Sequence, residues 1–151
     1  MTCWPISRLR SCVRRRPPAP DLPLVPVPSE VDEFLRRPNP AVVATLRPDG
    51  SPHTVPTWYD WDGTSVLLNM DEDRVRLRFM RRDPRVALTV LAAESWYSHV
   101  SLLGRIVSIE ADEELADIDR LARRYTGEQF RTRDCKRVSA WMEPERWHEW
   151  R

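Results

Sequence analysis

From Ser29 onward the apolar positions change period several times, and each change predicts an element. Ser29–Arg37 (SEVDEFLRR) predicts a short helix, with Ser29 as its cap, Asp32 and Glu33 early and Pro38 as its stop. Ala41–Leu46 is β-rich, Pro48-Asp49-Gly50 is a turn, and His53–Trp61 is a second strand-like run, so the two runs predict a hairpin. Asp62-Gly63 marks another tight turn before Thr64–Asn69, which would extend the hairpin into a three-stranded meander. Pro56 lacks the N–H that a central strand needs, which places it on an edge or at a bulge.

Further along, Val86–Leu91 and Val100–Glu110 read as strands, the second with Gly104 near its middle, where a bend or the close approach of another group is expected. Asp112–Tyr125 reads as a helix carrying Leu115, Ile118, Leu121 and Ala122 at helical spacing, with Gly127 as its stop. Lys136–Met142 supplies a sixth strand before Pro144. The pattern therefore predicts a mainly β fold with short helices, five or six antiparallel strands forming a small barrel.

Between the third and fourth strands lies Arg74–Arg85, which holds Arg74, Arg76, Arg78, Arg81, Arg82 and Arg85. On a helical wheel Arg74, Arg78, Arg81 and Arg82 share one side, a solvated charge run, opposite Val75, Leu77, Phe79 and Met80. Arg76 projects between Phe79 and Met80, where an unpaired charge is costly. Either it pairs with a carboxylate such as Asp60 or Asp71, or it holds an oxyanion near the start of a helix. Lys136 is the only lysine, so an anionic ligand must be held by arginine, whose planar fork suits bidentate contacts.

Composition divides the chain. Residues 1–28 hold half of the 14 prolines, five arginines and one acid, without apolar periodicity, and predict a disordered or extended segment ahead of a folded domain at 29–151. Setting that segment aside leaves 19 basic and 22 acidic residues, which argues against a nucleic-acid-binding polycation. Arg14, Arg15 and Arg16 are followed by proline-rich sequence rather than an apolar run, so no export signal is expected, and no segment has the apolar length of a membrane span. Cys3, Cys12 and Cys135 form no metal-like spacing with His53, His99 or His148. A reduced, cytoplasmic protein without structural metal is the expectation.

The succession FLRRPNPAVVATLRPDGSPHTVPTWYDWDG, RVRLRFMRRDPRVALTV and RLARRYTG resembles the split β-barrel flavin and deazaflavin oxidoreductases, the pyridoxamine 5'-phosphate oxidase-like proteins, over Val31 to Trp150. It is most similar to the actinobacterial branch that uses coenzyme F420, an 8-hydroxy-5-deazaflavin. The resemblance implies a homodimer of six-stranded split barrels of the FMN-binding type, with the cofactor in a groove at the dimer interface. Relatives hold the cofactor phosphate with an RxKxRN pattern at the start of the helix after the third strand. Here it reads Arg74-Val75-Arg76-Leu77-Arg78-Phe79, which carries over Arg74 and Arg76, with arginine in place of lysine and Phe79 in place of asparagine.

By the same resemblance Val55, Pro56 and Thr57 would line one side of the ring, and Asn69 and Met70 would approach it from the third strand. Trp58, Tyr59 and Trp61 are expected as core or interface aromatics, and Thr126–Cys135 as a variable wall of the substrate pocket. The implied activity is hydride transfer from reduced deazaflavin to an unsaturated small molecule, chemistry that belongs to the cofactor and needs no protein nucleophile. No catalytic residue is assigned; His53 and His99 are possible proton donors. Alternatives are an FMN-binding oxidase or reductase of the same group and a non-catalytic cofactor-binding module.

Overall fold

The structure, a computed structural model, describes residues 25–150, so the N-terminal segment read from composition lies almost wholly outside the described residues. Its elements are α1 (Ser29–Leu35), β1 (Ala41–Leu46), β2 (Pro52–Thr57), β3 (Asp60–Trp61), β4 (Val66–Asp71), α2 (Val75–Arg82), β5 (Arg85–Leu91), β6 (His99–Ala111), α3 (Ala116–Thr126) and β7 (Arg137–Trp150). All strand pairs are antiparallel in one sheet of order β2-β1-β5-β6-β7-β4-β3. The mainly β expectation holds, with seven strands rather than five or six and a ladder that does not close.

The extra strand comes from a break in the predicted run His53–Trp61. Trp58 and Tyr59 leave the ladder because Tyr59 turns fully inward, its hydroxyl 2.8 Å from Leu35 O and 3.0 Å from Arg37 O, donating to one of the two. β2 and β3 are thus the two edges of the sheet, yet only two residues separate them. The sheet has to curl until its edges approach each other. The expected meander is not formed: β4 pairs with β3 and β7, while β2 pairs with β1 alone, which leaves Pro56 on an edge strand as its missing N–H requires.

β7 continues through Pro144 to Trp150, well beyond the predicted Met142. A register shift between Leu103 and Gly104 makes this possible, because Pro144 sits opposite Gly104 at a bulge where no N–H is demanded. A side chain at Gly104 would collide with the backbone of Glu143 and Pro144, the close approach that its glycine permits. Two smaller differences concern helix starts. Pro28, not Ser29, is the N-cap of α1, and Ser29 makes no capping bond. α3 begins at Ala116 rather than Asp112, because the Asp112 carboxylate accepts the N–H groups of Asp117 (3.2 Å) and Ile118 (3.0 Å) and so caps the helix from outside it. Gly127 ends it with φ of 79°.

Alternation along β4 divides the interior. Leu68 and Met70 enter the main core with Leu88, Leu102 and Met142, while Leu67 points the other way into a second cluster with Leu115, Ile118 and Leu121 on and before α3. Buried on both faces, β4 carries polar Asn69 toward the α3 side. Among the described residues no helix is long and apolar enough to cross a membrane.

Candidate functional site

Between β2, β4, α2 and α3 lie two adjoining cavities. The larger, of about 530 Å³, is walled mainly by apolar groups: Pro56, the stacked pair Trp58 and Tyr125, Ile118, Leu121 and Phe130. The smaller, of about 390 Å³, is polar and includes His53, Asp71 and Arg74. Pro56, Arg76 and Arg137 border both, so the two form one groove with guanidinium groups at its waist.

Each residue predicted for the site borders this groove. Thr57 and Asn69 line the apolar part, Val55, Met70 and Arg74 the polar part, and Pro56 and Arg76 both. Their roles differ. Met70 is 1% exposed and belongs to the core, and Val55 packs against it. Arg74 is the extended N-cap residue of α2, largely in solvent and bonded to Asp71 Oδ2 at 2.8 Å. Asn69 has its amide bonded within the protein: Nδ2 donates to Asp112 Oδ2 (3.0 Å) and Ser139 Oγ (3.1 Å), and Oδ1 accepts from Arg137 Nε (2.8 Å).

Arg76 is different. It sits in the first turn of α2 beside fully buried Leu77, half-buried itself, and its Nε is sealed from solvent with no hydrogen-bond partner. Neither carboxylate considered as its partner serves it. Asp60 pairs with Arg120 and Arg124, both at 3.3 Å, and Asp71 with Arg74 and Arg137. Burial, and then the neighbouring charges of Arg74 and Arg137, hold the Arg76 guanidinium below its ordinary pKa, with Asp71 opposing them. Arg78, Arg81 and Arg82 are exposed on the outer face of α2, and Arg85 lies on β5, paired with Asp83 at 2.6 Å.

Several lining residues escaped the sequence reading. Arg137 and Asp71 stand opposite each other in the β4–β7 register, a long-range pairing that local pattern does not reveal. Phe130 lies in Thr126–Cys135, the segment expected to wall the substrate pocket, whereas Tyr125, inside the predicted helix, carried no signal of facing a cavity. Tyr125 stacks on Trp58, centroids 5.4 Å apart and planes within 8°, while its hydroxyl donates to Asn39 O at 2.9 Å. Burial pushes that phenol up, so it stays protonated and facing the protein. Tyr59 and Trp61 are core residues, whereas Trp58 is 36% exposed at the groove wall. His53 borders the polar part, edge-on to Phe79, with Nδ1 buried and without a partner. His99 contacts Tyr97 O at 2.8 Å and does not border the groove.

A family model described as pyridoxamine 5'-phosphate oxidase matches residues 27–151. Among solved structures, an F420 reductase is 27% identical with a TM-score of 0.75, the match covering 81% of this chain and 98% of that one. A conserved hypothetical protein from Mycobacterium tuberculosis is also 27% identical, with a TM-score of 0.62 and coverage of 84% and 86%. General stress protein 26 from Bacillus anthracis, 16% identical with a TM-score of 0.58 and coverage of 80% and 94%, shares the fold. No curated protein matches the chain.

Proposed function

Because the chain belongs to the pyridoxamine 5'-phosphate oxidase family, we propose that it is an oxidoreductase that holds phosphorylated deazaflavin, coenzyme F420, in this groove and reduces an unsaturated small molecule. The observation that carries the reading is Arg76: a half-buried guanidinium with a sealed, unpartnered Nε, at the boundary between an apolar cavity and a polar one. A planar ring with an anionic tail matches that division. The 27% identity to an F420 reductase over almost all of that chain favours deazaflavin, and the family description itself favours FMN as the second reading.

The residues present fit such a group. Pro56 and Phe130 would contact the ring, Arg76 and Arg74 would face the phosphate, and Trp58 stacked on Tyr125 would keep water from the ring. Bound deazaflavin supplies the hydride, and the protein supplies position and field. The reading includes a homodimer, in which a second copy completes the open side of the groove.

Fluorescence-quenching titrations of the purified protein with coenzyme F420 and, separately, FMN test this. Tighter binding of coenzyme F420 is expected. Binding of FMN alone transfers the reading to a flavin enzyme, and binding of neither ends it.

A further inference from the structure

We propose that Arg137 is a third cationic ligand for the cofactor's phosphoryl group, aimed at it by a buried polar chain running from the start of α3 to β7. This rests on the reading of the groove as a site for a phosphorylated ring. Arg137 is the first residue of β7, and its side chain is only 10% exposed. Nε donates to Asn69 Oδ1 at 2.8 Å, Nη1 to Asp71 Oδ1 at 2.6 Å, and the guanidinium lies 4.9 Å from the Phe130 ring centroid. Those contacts fix its plane and commit two of its five N–H groups.

The Asn69 amide cannot be reversed without loss. Its Nδ2 faces the Asp112 carboxylate, which is itself held by the N–H groups of Asp117 and Ile118, and Ser139 Oγ donates to Asp117 Oδ2 at 2.6 Å. With the amide nitrogen turned to Asp112, the amide oxygen has to face Arg137. Orientation thus passes from the cap of α3 through Asn69 to the guanidinium, without contribution from a ligand.

Charge points the same way. Among the residues that line the groove, Arg74, Arg76 and Arg137 face one carboxylate, Asp71, an excess of two positive charges in the lining itself, while Glu72 and Asp112 border a neighbouring cavity that Arg137 also lines. An anion offsets that excess, and a buried guanidinium contributes more to holding it than one at the rim. Arg137 should therefore matter more than Arg74, whose side chain is 63% exposed.

The test compares phosphorylated and phosphate-free forms of each ring: FMN against riboflavin, and 8-hydroxy-5-deazariboflavin 5'-phosphate against 8-hydroxy-5-deazariboflavin. Arg137→Gln should reduce the affinity gained from the phosphate by about tenfold or more, while binding of the phosphate-free ring changes by less than about threefold. If both members of each pair weaken equally, Arg137 only supports the fold and the proposal fails. If the wild-type protein itself shows no preference for phosphorylated ligands, the reading of the groove fails instead. Should Arg137→Gln lack a cooperative melt, Arg137→Lys carries the same comparison: retained charge with fewer donors should give a smaller loss of phosphate preference, and an unchanged preference overturns the proposal.

Discussion

Arg76→Met should stabilise the ligand-free protein while weakening its hold on the cofactor. Met keeps the unbranched apolar stem beside Leu77 and removes the charge. What is relieved is a sealed N–H without a partner, worth about 1–3 kcal/mol, together with repulsion from Arg74 and Arg137. Arg76 is only half-buried, so solvent screens much of this, leaving a gain of about 1 kcal/mol, or a rise in melting temperature of roughly 3–5 °C for a domain of this size. Cofactor reverses the order. At about one hundred times its Kd a ligand adds about 2.7 kcal/mol to the wild type. Loss of one charge-assisted bond, about 2 kcal/mol, cuts the variant's gain to about 0.9 kcal/mol, so the wild type leads by nearly 1 kcal/mol. Urea denaturation of both proteins, with and without coenzyme F420 at one concentration, reads the crossing. A ligand-free variant less stable than wild type by 1 kcal/mol or more would make Arg76 a structural residue and refute the reasoning.

Three further outcomes are expected. Gly104→Ala forces a methyl group against Glu143 O and to 2.8 Å from Pro144 Cα, backbone that cannot move aside alone, and should cost about 2–3 kcal/mol; a loss under 1 kcal/mol in thermal or urea melts would contradict the tight bulge. Burial alone would raise the Asp71 carboxyl, but Arg74 and Arg137 bring it below its ordinary value. Its contribution is therefore complete above the unfolded pKa of about 3.9 and lost as pH falls through the lower folded value. The stability gap between wild type and Asp71→Asn should hold at pH 5 to 7 and close in acid, and a gap unchanged down to pH 2 would disprove the pairing. Trp58→Phe keeps a ring against Tyr125 and should leave affinity within about threefold. It should also remove much of the quenching on cofactor binding, although seven tryptophans are present, and undiminished quenching would place the ring elsewhere.

Local pattern was enough for much of the fold. The hairpin of β1 and β2, the long β6, and α3 with its stop at Gly127 all follow from apolar period and turn residues. Pairing was not legible, because Thr64–Asn69 looks equally ready to join either neighbour. The choice is made by β7, whose Arg137 to Met142 meets β4 from far along the chain. Pro144 misled for a related reason: proline ends a strand only where its N–H is needed, and the bulge at Gly104 removes the need. In the site, Arg76 was legible as the one charge on an apolar helix face. Arg137 carried no such mark, since its environment is created by β-sheet register.

The groove lies where the sheet fails to close, and that position explains its mixture of groups. β2 and β4 face each other across it without sharing a ladder, so Pro56 can sit there without an N–H to satisfy. A closed barrel would fill this seam with paired backbone and apolar side chains. Instead the seam gathers an edge strand, a guanidinium with an unpartnered Nε and a second guanidinium held in place by Asn69 and Asp71. Each departs from what the fold alone favours, and all adjoin the same space. Stability considered by itself gives no reason for such a coincidence. A ligand with an apolar ring and an anionic arm supplies one, because it covers the seam and meets both charges at once.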